Sequence, residues 1–77
     1  MRKNNLRMLR RRLGFSQVGL AEAAHCSRAT IIIVERLNHY PTAGVRSRLA
    51  TALGVSETTL WPQLKASLET TEGEDGD

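Results

Sequence analysis

The chain has 77 residues, of which 40% are hydrophobic and 25% charged, enough for one small domain with a modest core and too few for a second. Its single cysteine excludes an internal disulfide, and no apolar run approaches the ~18 residues of a membrane span, so we expect a soluble cytoplasmic protein. The net charge of +3 combines ten Lys or Arg and two Glu in residues 1–48 with one Lys and six acidic residues in residues 49–77. This basic body favours a polyanionic partner such as nucleic acid, and a merely solvated basic face is the alternative.

The first predicted helix starts at Asn4 or Asn5, either of which can cap it, and runs to about Arg12. Three leucines recur along it at helical spacing: Leu6, Leu9 and Leu13. Gly14 follows as the expected terminator, because glycine readily adopts the left-handed conformation that ends many helices.

Three serines share a local pattern that is typical of helix starts. Each is preceded by an apolar residue and is followed by another apolar residue four positions later. The hydroxyl of such an N-cap serine accepts a hydrogen bond from a backbone amide, while the apolar pair fixes the angle at which the chain enters the helix. The three segments are Phe15-Ser16 with Leu20, Cys26-Ser27 with Ile31, and Val55-Ser56 with Leu60. They predict three helices, the first of about eight residues.

Four consecutive β-branched residues, Ile31 to Val34, would form a buried strand by local propensity alone. The run follows the predicted cap Ser27, and no second β-rich run with turn residues exists to pair with it. We therefore predict a helix that ends near Leu37. At about 100° per residue, Ile31 and Val34 share one face of that helix while Ile32 and Ile33 turn away from it.

The C-terminal part of the chain predicts two further helices. Residues 38–41 are predicted as a loop and Thr42 as the cap of a fourth helix through Leu53, with Gly54 just past its end. Pro62 must interrupt or restart the fifth helix, because proline does not fit a helix interior. The expected fold is an all-α bundle of about five short helices over residues 1–69, with an acidic, Gly-rich and disordered tail at residues 70–77.

A helix, a three-residue connection and a second helix, flanked by supporting helices, is the arrangement of a helix-turn-helix module, here at residues 16–37. The segments that carry a more specific resemblance are Ser16-Gln17 followed by Leu20-Ala21, and Ser27 to Ile31 followed by Glu35. With them, about residues 4–61 resemble the Cro/CI-type (XRE-like) helix-turn-helix family of bacterial and phage transcriptional regulators. The resemblance implies a lambda-repressor-like fold and double-stranded DNA as the partner.

The same resemblance implies roles for individual side chains. Arg10 and Glu35 fall on the family's partly buried ion pair, and Gln17 falls on a residue that binds phosphate or a neighbouring base. Arg28 is expected to read sequence, because bidentate contact from arginine to guanine is the commonest specific pairing. The residues expected to bind DNA are Gln17, Ser27, Arg28, Ala29, Ile32, Ile33 and Arg36. Phosphate contacts are expected from Arg10, Ser16, Asn38, Tyr40 and Arg46.

Two departures from the family's pattern bear on function. Ile32 and Ile33 stand where members usually have polar side chains, and they could contact thymine methyl groups or form a patch that binds another protein. Simple toleration of their exposure is the third interpretation. Leu37 replaces the usual glycine after the recognition helix, which leaves Asn38 to adopt the left-handed turn.

The function expected from the sequence is that of a sequence-specific transcriptional repressor that reads the major groove with residues 28–36. One recognition helix covers only a few base pairs, which favours a homodimer on a two-fold related site. Trp61, Leu64 and Leu68 are candidates for the dimer surface, although packing against the fourth helix would explain them as well. The alternative function is a protein-interaction module, antitoxin-like or polymerase-binding, that uses Ile32 and Ile33.

Catalysis and ligand binding find no support in the sequence. His25 and Cys26 are adjacent and His39 is isolated, which is not the spacing of a zinc site. The cap serines have no histidine or carboxylate placed to activate them. We expect no enzyme activity, metal, cofactor or small-molecule ligand.

Overall fold

The computed structural model describes residues 4–62, which form five α-helices and contain no strand. The helices are α1 (Leu6–Arg12), α2 (Gln17–Ala23), α3 (Arg28–Leu37), α4 (Ala43–Leu53) and α5 (Glu57–Leu60). None of them is long and apolar enough to cross a membrane. The all-α prediction is confirmed. Leu64, Leu68 and the acidic segment 70–77 lie outside the described residues, so the expectations placed on them stay predictions.

The three predicted serine caps are present. In each case the serine hydroxyl accepts a hydrogen bond from the backbone amide three residues later, as an N-cap requires. The bonds run from Gly19 to Ser16 at 2.9 Å, from Thr30 to Ser27 at 3.1 Å and from Thr59 to Ser56 at 3.2 Å. Caps of this kind each stabilise a protein by about 1 kcal/mol. Local sequence therefore determines where α2, α3 and α5 begin.

The starts of α1 and α4 differ in detail from the predictions. Asn5 occupies the N-cap position of α1 without a side-chain cap bond, and Asn4 Oδ1 instead accepts a hydrogen bond from the Leu6 amide at 2.9 Å. Thr42 is the N-cap residue of α4, as predicted, but its hydroxyl accepts no cap hydrogen bond. The prediction that the side chain of Thr42 caps α4 is therefore wrong.

The core lies where the five helices meet and is aliphatic apart from one tryptophan. Ile31 and Val34 are completely buried, whereas Ile32 is half-buried and Ile33 is 37% exposed, which confirms α3 as a helix with one inward face. Leu13 departs from its predicted stripe: it follows the last residue of α1 and is exposed. The core side chains are Leu6, Leu9, Leu20, Ala21, Ala24, Ile31, Val34, Leu49, Ala50, Leu53, Leu60 and Trp61.

Trp61 belongs to this core and not to the predicted dimer surface. Its side chain is 1% exposed, and its ring meets that of Tyr40 edge to face at 5.9 Å between centroids. A side chain already enclosed by its own chain has little area left to bury against a second copy. The prediction that Trp61 forms a dimer surface is corrected in favour of internal packing.

Among residues 4–62, two residues other than glycine adopt the left-handed backbone conformation. His25, in the turn between α2 and α3, has φ of 55°, and Asn38, which ends α3, has φ of 54°. Asn38 confirms the prediction made from the missing glycine at Leu37. The short polar side chain of asparagine suits this conformation, and histidine, although enriched in it relative to most residues, keeps part of the steric cost that only glycine avoids. Gly14 and Gly54 adopt it after α1 and α4, as predicted.

A buried ion pair ties α1 to α3. Arg10 Nε donates to Glu35 Oε2 at 2.6 Å and Arg10 Nη2 donates to Oε1 at 3.3 Å. The third guanidinium nitrogen, Nη1, donates to the carbonyl of Phe15 at 2.8 Å. The side chains are only 11% and 2% exposed, so both charges depend on each other for compensation.

Removing one partner of this buried pair should destabilise the fold much more than removing one partner of an exposed ion pair. We expect Glu35→Gln to lower the free energy of unfolding by about 3 kcal/mol, because the charge of Arg10 stays buried without compensation. Adding Arg10→Met should recover part of that loss. Glu57→Gln is the control, since Glu57 bonds Arg46 at 3.3 Å from a 34% exposed position and such pairs contribute at most about 1 kcal/mol. Urea unfolding followed by Trp61 fluorescence measures all four proteins, and equal losses for the two single glutamate variants would contradict this account.

The left-handed conformation of His25 leads to a second prediction about stability. We expect His25→Gly to raise the free energy of unfolding by about 0.5–1 kcal/mol, because relief of the strained conformation exceeds the extra chain entropy of glycine. His25→Ala should lower it. The control is Asn38→Gly, which should change little because asparagine already tolerates the conformation. Thermal unfolding monitored by circular dichroism measures the stability of the variants. A destabilised His25→Gly variant would contradict the claim that the backbone of His25 is strained.

Candidate nucleic-acid interface

Helices α2 and α3 and the turn at residues 24–27 form one packed unit. Within the turn, the His25 amide donates to the carbonyl of Glu22 at 3.2 Å and the Cys26 amide donates to that of Ala21 at 2.9 Å. Cys26 is half-buried and packs against the core, which anchors the middle of the turn. These contacts hold α3 at a fixed angle to α2, so α3 can be presented to a partner as a rigid helix.

The first turn of α3 is open to solvent. Ser27, Arg28 and Ala29 are all exposed. Ser27 uses its hydroxyl as the cap of the helix, and within residues 4–62 no group bonds the guanidinium of Arg28. Arg28 thus presents its full set of N–H donors outward, and a planar fork of donors suits a guanine edge or a phosphate.

The outward face of α3 continues for two more turns and is mixed in character. Ile32, Ile33 and Arg36 follow Arg28 and Ala29 at spacings of three to five residues, which places all five on one side of the helix. Ile33 is 37% exposed, and Arg36 is exposed with no partner in the described part of the chain. The predicted reading residues of α3 therefore do lie together. The face offers a cation at each end and apolar surface between them.

A small cleft of about 110 Å³ opens between α1, the start of α2 and the end of α3. It is lined by Arg7, Arg10, Gln17, Glu35 and Arg36. The carboxylate of Glu35 is bonded by Arg10, and Gln17 Nε2 donates to its Oε1 at 3.4 Å. Three arginines and one carboxylate thus line the cleft. The resulting excess of two positive charges makes the cleft a place where an anion is stabilised.

Two arginines expected to contact phosphate are already engaged inside the fold. Arg10 gives all three guanidinium nitrogens to Glu35 and Phe15. Arg46 donates to the carbonyl of Pro41 at 2.7 Å and to Glu57 at 3.3 Å, and its guanidinium carbon lies 4.3 Å from the centre of the Tyr40 ring. Their contacts to phosphate stay predictions. In the structure both arginines join helices and loops of the fold.

The remaining predicted phosphate contacts fall at separate places. Ser16 is exposed at the start of α2, with its hydroxyl accepting the cap bond from Gly19. Asn38 and Tyr40 lie in the segment after α3, and both are half-buried. Helices α2 and α3 bring Ser16 near the cleft and Asn38 to the far end of the outward face of α3. Their contacts to DNA also stay predictions.

Sequence reasoning missed several contacts that hold the interface in place. Arg48 Nε donates to the carbonyl of Ala24 at 3.0 Å, which fixes the C-terminal end of α2. Asn4 Nδ2 donates to the carbonyl of Val34 at 2.9 Å and so binds the start of α1 to α3. These bonds join residues that are 24 and 30 positions apart in the sequence, and no local sequence pattern predicts them. The place of Arg7 in the cleft had a signal, since Arg7 and Arg10 are three residues apart on α1.

The chemistry of the only cysteine is that of a packed side chain. Burial raises the pKa of the Cys26 thiol above its ordinary value, and the nearby charge of Arg48 acts in the opposite direction without cancelling this effect. The thiol therefore stays protonated at neutral pH, and it is the thiolate that acts as nucleophile and metal ligand. Within residues 4–62, no three His, Cys, Asp or Glu side chains come together as a metal site would need.

Comparison with known proteins gives matches over most of the chain. A family model described as a helix-turn-helix domain matches residues 4–61. Among solved structures, the chain is similar to the restriction-modification controller protein C.AhdI from Aeromonas hydrophila, at 33% identity and a TM-score of 0.69, over 74% of this chain and 86% of that one. It is also similar to NHTF, a hypothetical transcription factor from Neisseria, at 32% identity and a TM-score of 0.67, over 86% of this chain and 76% of that one. No curated protein matches the sequence.

These findings agree with the arrangement of the helices. The family match spans all five of them, including the α2–turn–α3 unit with the exposed outward face of α3. The match and the solved neighbours support a DNA-binding regulator and point away from an enzyme. The chain belongs to the Cro/CI-type (XRE-like) helix-turn-helix family of transcriptional regulators.

Proposed function

We propose that this protein is a sequence-specific transcriptional repressor that reads the major groove of DNA with the outward face of α3, residues 28–36. One observation carries the proposal: Arg28 is exposed in the first turn of a rigidly held helix and has no partner within residues 4–62. Arginine is the side chain best suited to read guanine, and the N-terminal residues of a recognition helix are those that reach base edges. Repression needs only that the bound protein occupy a promoter, which suits a domain of this size.

The apolar part of the face fits the same role. Ile32 and Ile33 follow Ala29 along the outward side of α3, and aliphatic groups of this kind contact the methyl group of thymine. A site with guanine facing Arg28 and thymines facing the isoleucines is the sequence that this surface favours. Ala29 between them is small enough to let the helix approach the bases.

The charged cleft supports the backbone part of binding. Arg7 and Arg36 have no partner within residues 4–62, and both line the cleft beside Gln17. A phosphate there would meet their two guanidinium groups while Glu35 stays occupied by Arg10. Such contacts position the protein on the duplex and make binding depend on salt, without specifying sequence.

A homodimer completes the proposal. One recognition helix covers only a few base pairs, so useful specificity calls for two copies on half-sites about 34 Å apart. Because Trp61 is enclosed in the core, the candidates left for the dimer surface are Leu64 and Leu68, outside the described residues. Sedimentation of the free protein and of its DNA complex tests the stoichiometry.

Selection from random DNA duplexes at about 0.15 M salt tests the reading function. We expect the wild type to enrich a two-fold symmetric motif, and Arg28→Ala to lose preference at one base pair of each half-site while the others persist. A lost bidentate contact costs about 1–3 kcal/mol of discrimination. The matched control is Arg7→Gln, which also removes one positive charge, but removes it from the cleft. This variant should weaken binding to all DNA sequences equally. No enriched motif for the wild type, with binding abolished by modest salt, would reject sequence-specific reading.

A second function is favoured by the exposed apolar end of α3. Leu37 is 72% exposed, and Ile33 lies one turn before it at 37% exposure. Two such side chains at helical spacing suit a protein partner, as an antitoxin-like or polymerase-binding module would present.

Replacing Ile33 by serine separates the two functions. If α3 reads DNA, Ile33→Ser should change the base preference in the selection described above, by about 1 kcal/mol at the affected base pair, because a methyl contact is lost. Leu37→Ser is the control, since Leu37 lies beyond residues 28–36. An unchanged motif for Ile33→Ser would remove this residue from base reading and favour the protein partner.

A further inference from the structure

Positive and negative charges are concentrated in different parts of the chain. Residues 4–62 contain eight arginines, no lysine and three glutamates. The acidic segment 70–77 contains no basic residue and four acidic ones: Glu72, Glu74, Asp75 and Asp77. Like charges so close in sequence repel one another, and a surface of opposite charge lowers their energy. The segment therefore favours any cationic surface that it can reach.

The cleft between α1, α2 and α3 is a surface of this kind. Arg7 and Arg36 line it, and no group within residues 4–62 binds either guanidinium. Among the described residues, Glu35 is the one carboxylate that lines the cleft, and Arg10 bonds both of its oxygens. The donors of Arg7 and Arg36 thus remain unused. A guanidinium group bonds a carboxylate with two parallel hydrogen bonds, as it does a phosphate, so carboxylates from elsewhere in the chain fit these donors.

The described part of the chain ends beside the helix that carries Arg7. The amide of Asn5 donates to the carbonyl of Leu60, the last residue of α5, at 2.9 Å. Arg7 follows Asn5 by two residues, and the seven-residue helix α1 is only about 10 Å long. By contrast, the eleven residues from Trp61 to Glu72 span up to about 36 Å when extended. The acidic segment 70–77 is therefore within reach of the cleft of its own chain.

We propose that the acidic segment 70–77 binds the cleft of its own chain, with its carboxylates on Arg7 and Arg36, and takes the place of a DNA phosphate there. A duplex then has to displace the segment before its own phosphate enters the cleft. Ion pairs at an exposed site are individually weak, which keeps this contact reversible, while attachment to the same chain gives the segment a millimolar effective concentration. The regulatory effect rests on the DNA binding proposed above, whereas the contact itself does not.

A full-length variant with an uncharged segment tests the effect on DNA binding. It combines four substitutions: Glu72→Gln, Glu74→Gln, Asp75→Asn and Asp77→Asn. Fluorescence anisotropy measures its affinity for a duplex with the selected motif and for a scrambled duplex. We expect binding to both to be about 5-fold tighter than for the wild type, which corresponds to a wild-type cleft that the segment covers about four-fifths of the time. Unchanged affinity for both duplexes would overturn the proposal.

Two further backgrounds distinguish contact with the cleft from general repulsion between the segment and DNA. Arg7→Gln and Arg11→Gln each remove one positive charge from α1, but Arg11 is exposed and does not line the cleft. We expect neutralisation of the segment to improve affinity only about 2-fold in the Arg7→Gln background and still about 5-fold in the Arg11→Gln background, because only Arg7 is coupled to the segment. Equal gains in the two backgrounds would assign the effect to repulsion and overturn the proposal.

NMR spectra of the free protein test the contact without DNA. We expect the side-chain Nε–H signals of Arg7 and Arg36 to differ between the wild type and the uncharged variant, and that of Arg28, outside the cleft, to stay in place. Identical signals for Arg7 and Arg36 would overturn the proposal. A difference that grows with protein concentration would also overturn it, since a second copy would then supply the segment. A wild type that binds neither duplex would reject the proposed function, while these spectra would still decide whether the segment binds the cleft.

Discussion

The buried pair of Arg10 and Glu35 is the interaction on which the rest of the structure depends. Two charges that are almost completely removed from water stabilise one another only if their helices keep one distance and one angle. The pair therefore specifies how α1 meets α3, and the bond from Arg10 to the carbonyl of Phe15 extends this control to the start of α2. The outward face of α3 can be rigid because the opposite side of the helix is bonded in this way.

The same arrangement separates structural charges from charges available to a partner. Arg10 and Arg46 donate their hydrogen bonds to groups within the fold. By contrast, no group within residues 4–62 binds Arg7, Arg28 or Arg36. This division does not follow from the number of arginines, which is what gives the chain its basic character. It follows from the placement of Glu35 and Glu57, the two carboxylates that form ion pairs among the described residues. Arg7, Arg28 and Arg36 are bound neither by these carboxylates nor by a backbone carbonyl within residues 4–62, so their charges stay available.

Helix starts were predictable because their causes lie within a few residues of one another. Ser16, Ser27 and Ser56 each carry the hydroxyl and the apolar neighbours that a cap needs, and the run from Ile31 to Val34 could be assigned to a helix from the cap before it. Trp61 was less predictable, since an apolar side chain near the end of α5 can face the core or a second copy equally well. Only its packing against Tyr40 decides between them.

By itself, the sequence determined the order of the helices, the inward face of α3 and the family to which the chain belongs, because periodicity, capping and motif spacing are local properties. The tertiary structure alone decided that Asn4 bonds Val34, that Arg48 bonds Ala24, and which arginines are exposed without a partner. These features depend on distances between residues far apart in the chain, which are set only when the helices pack.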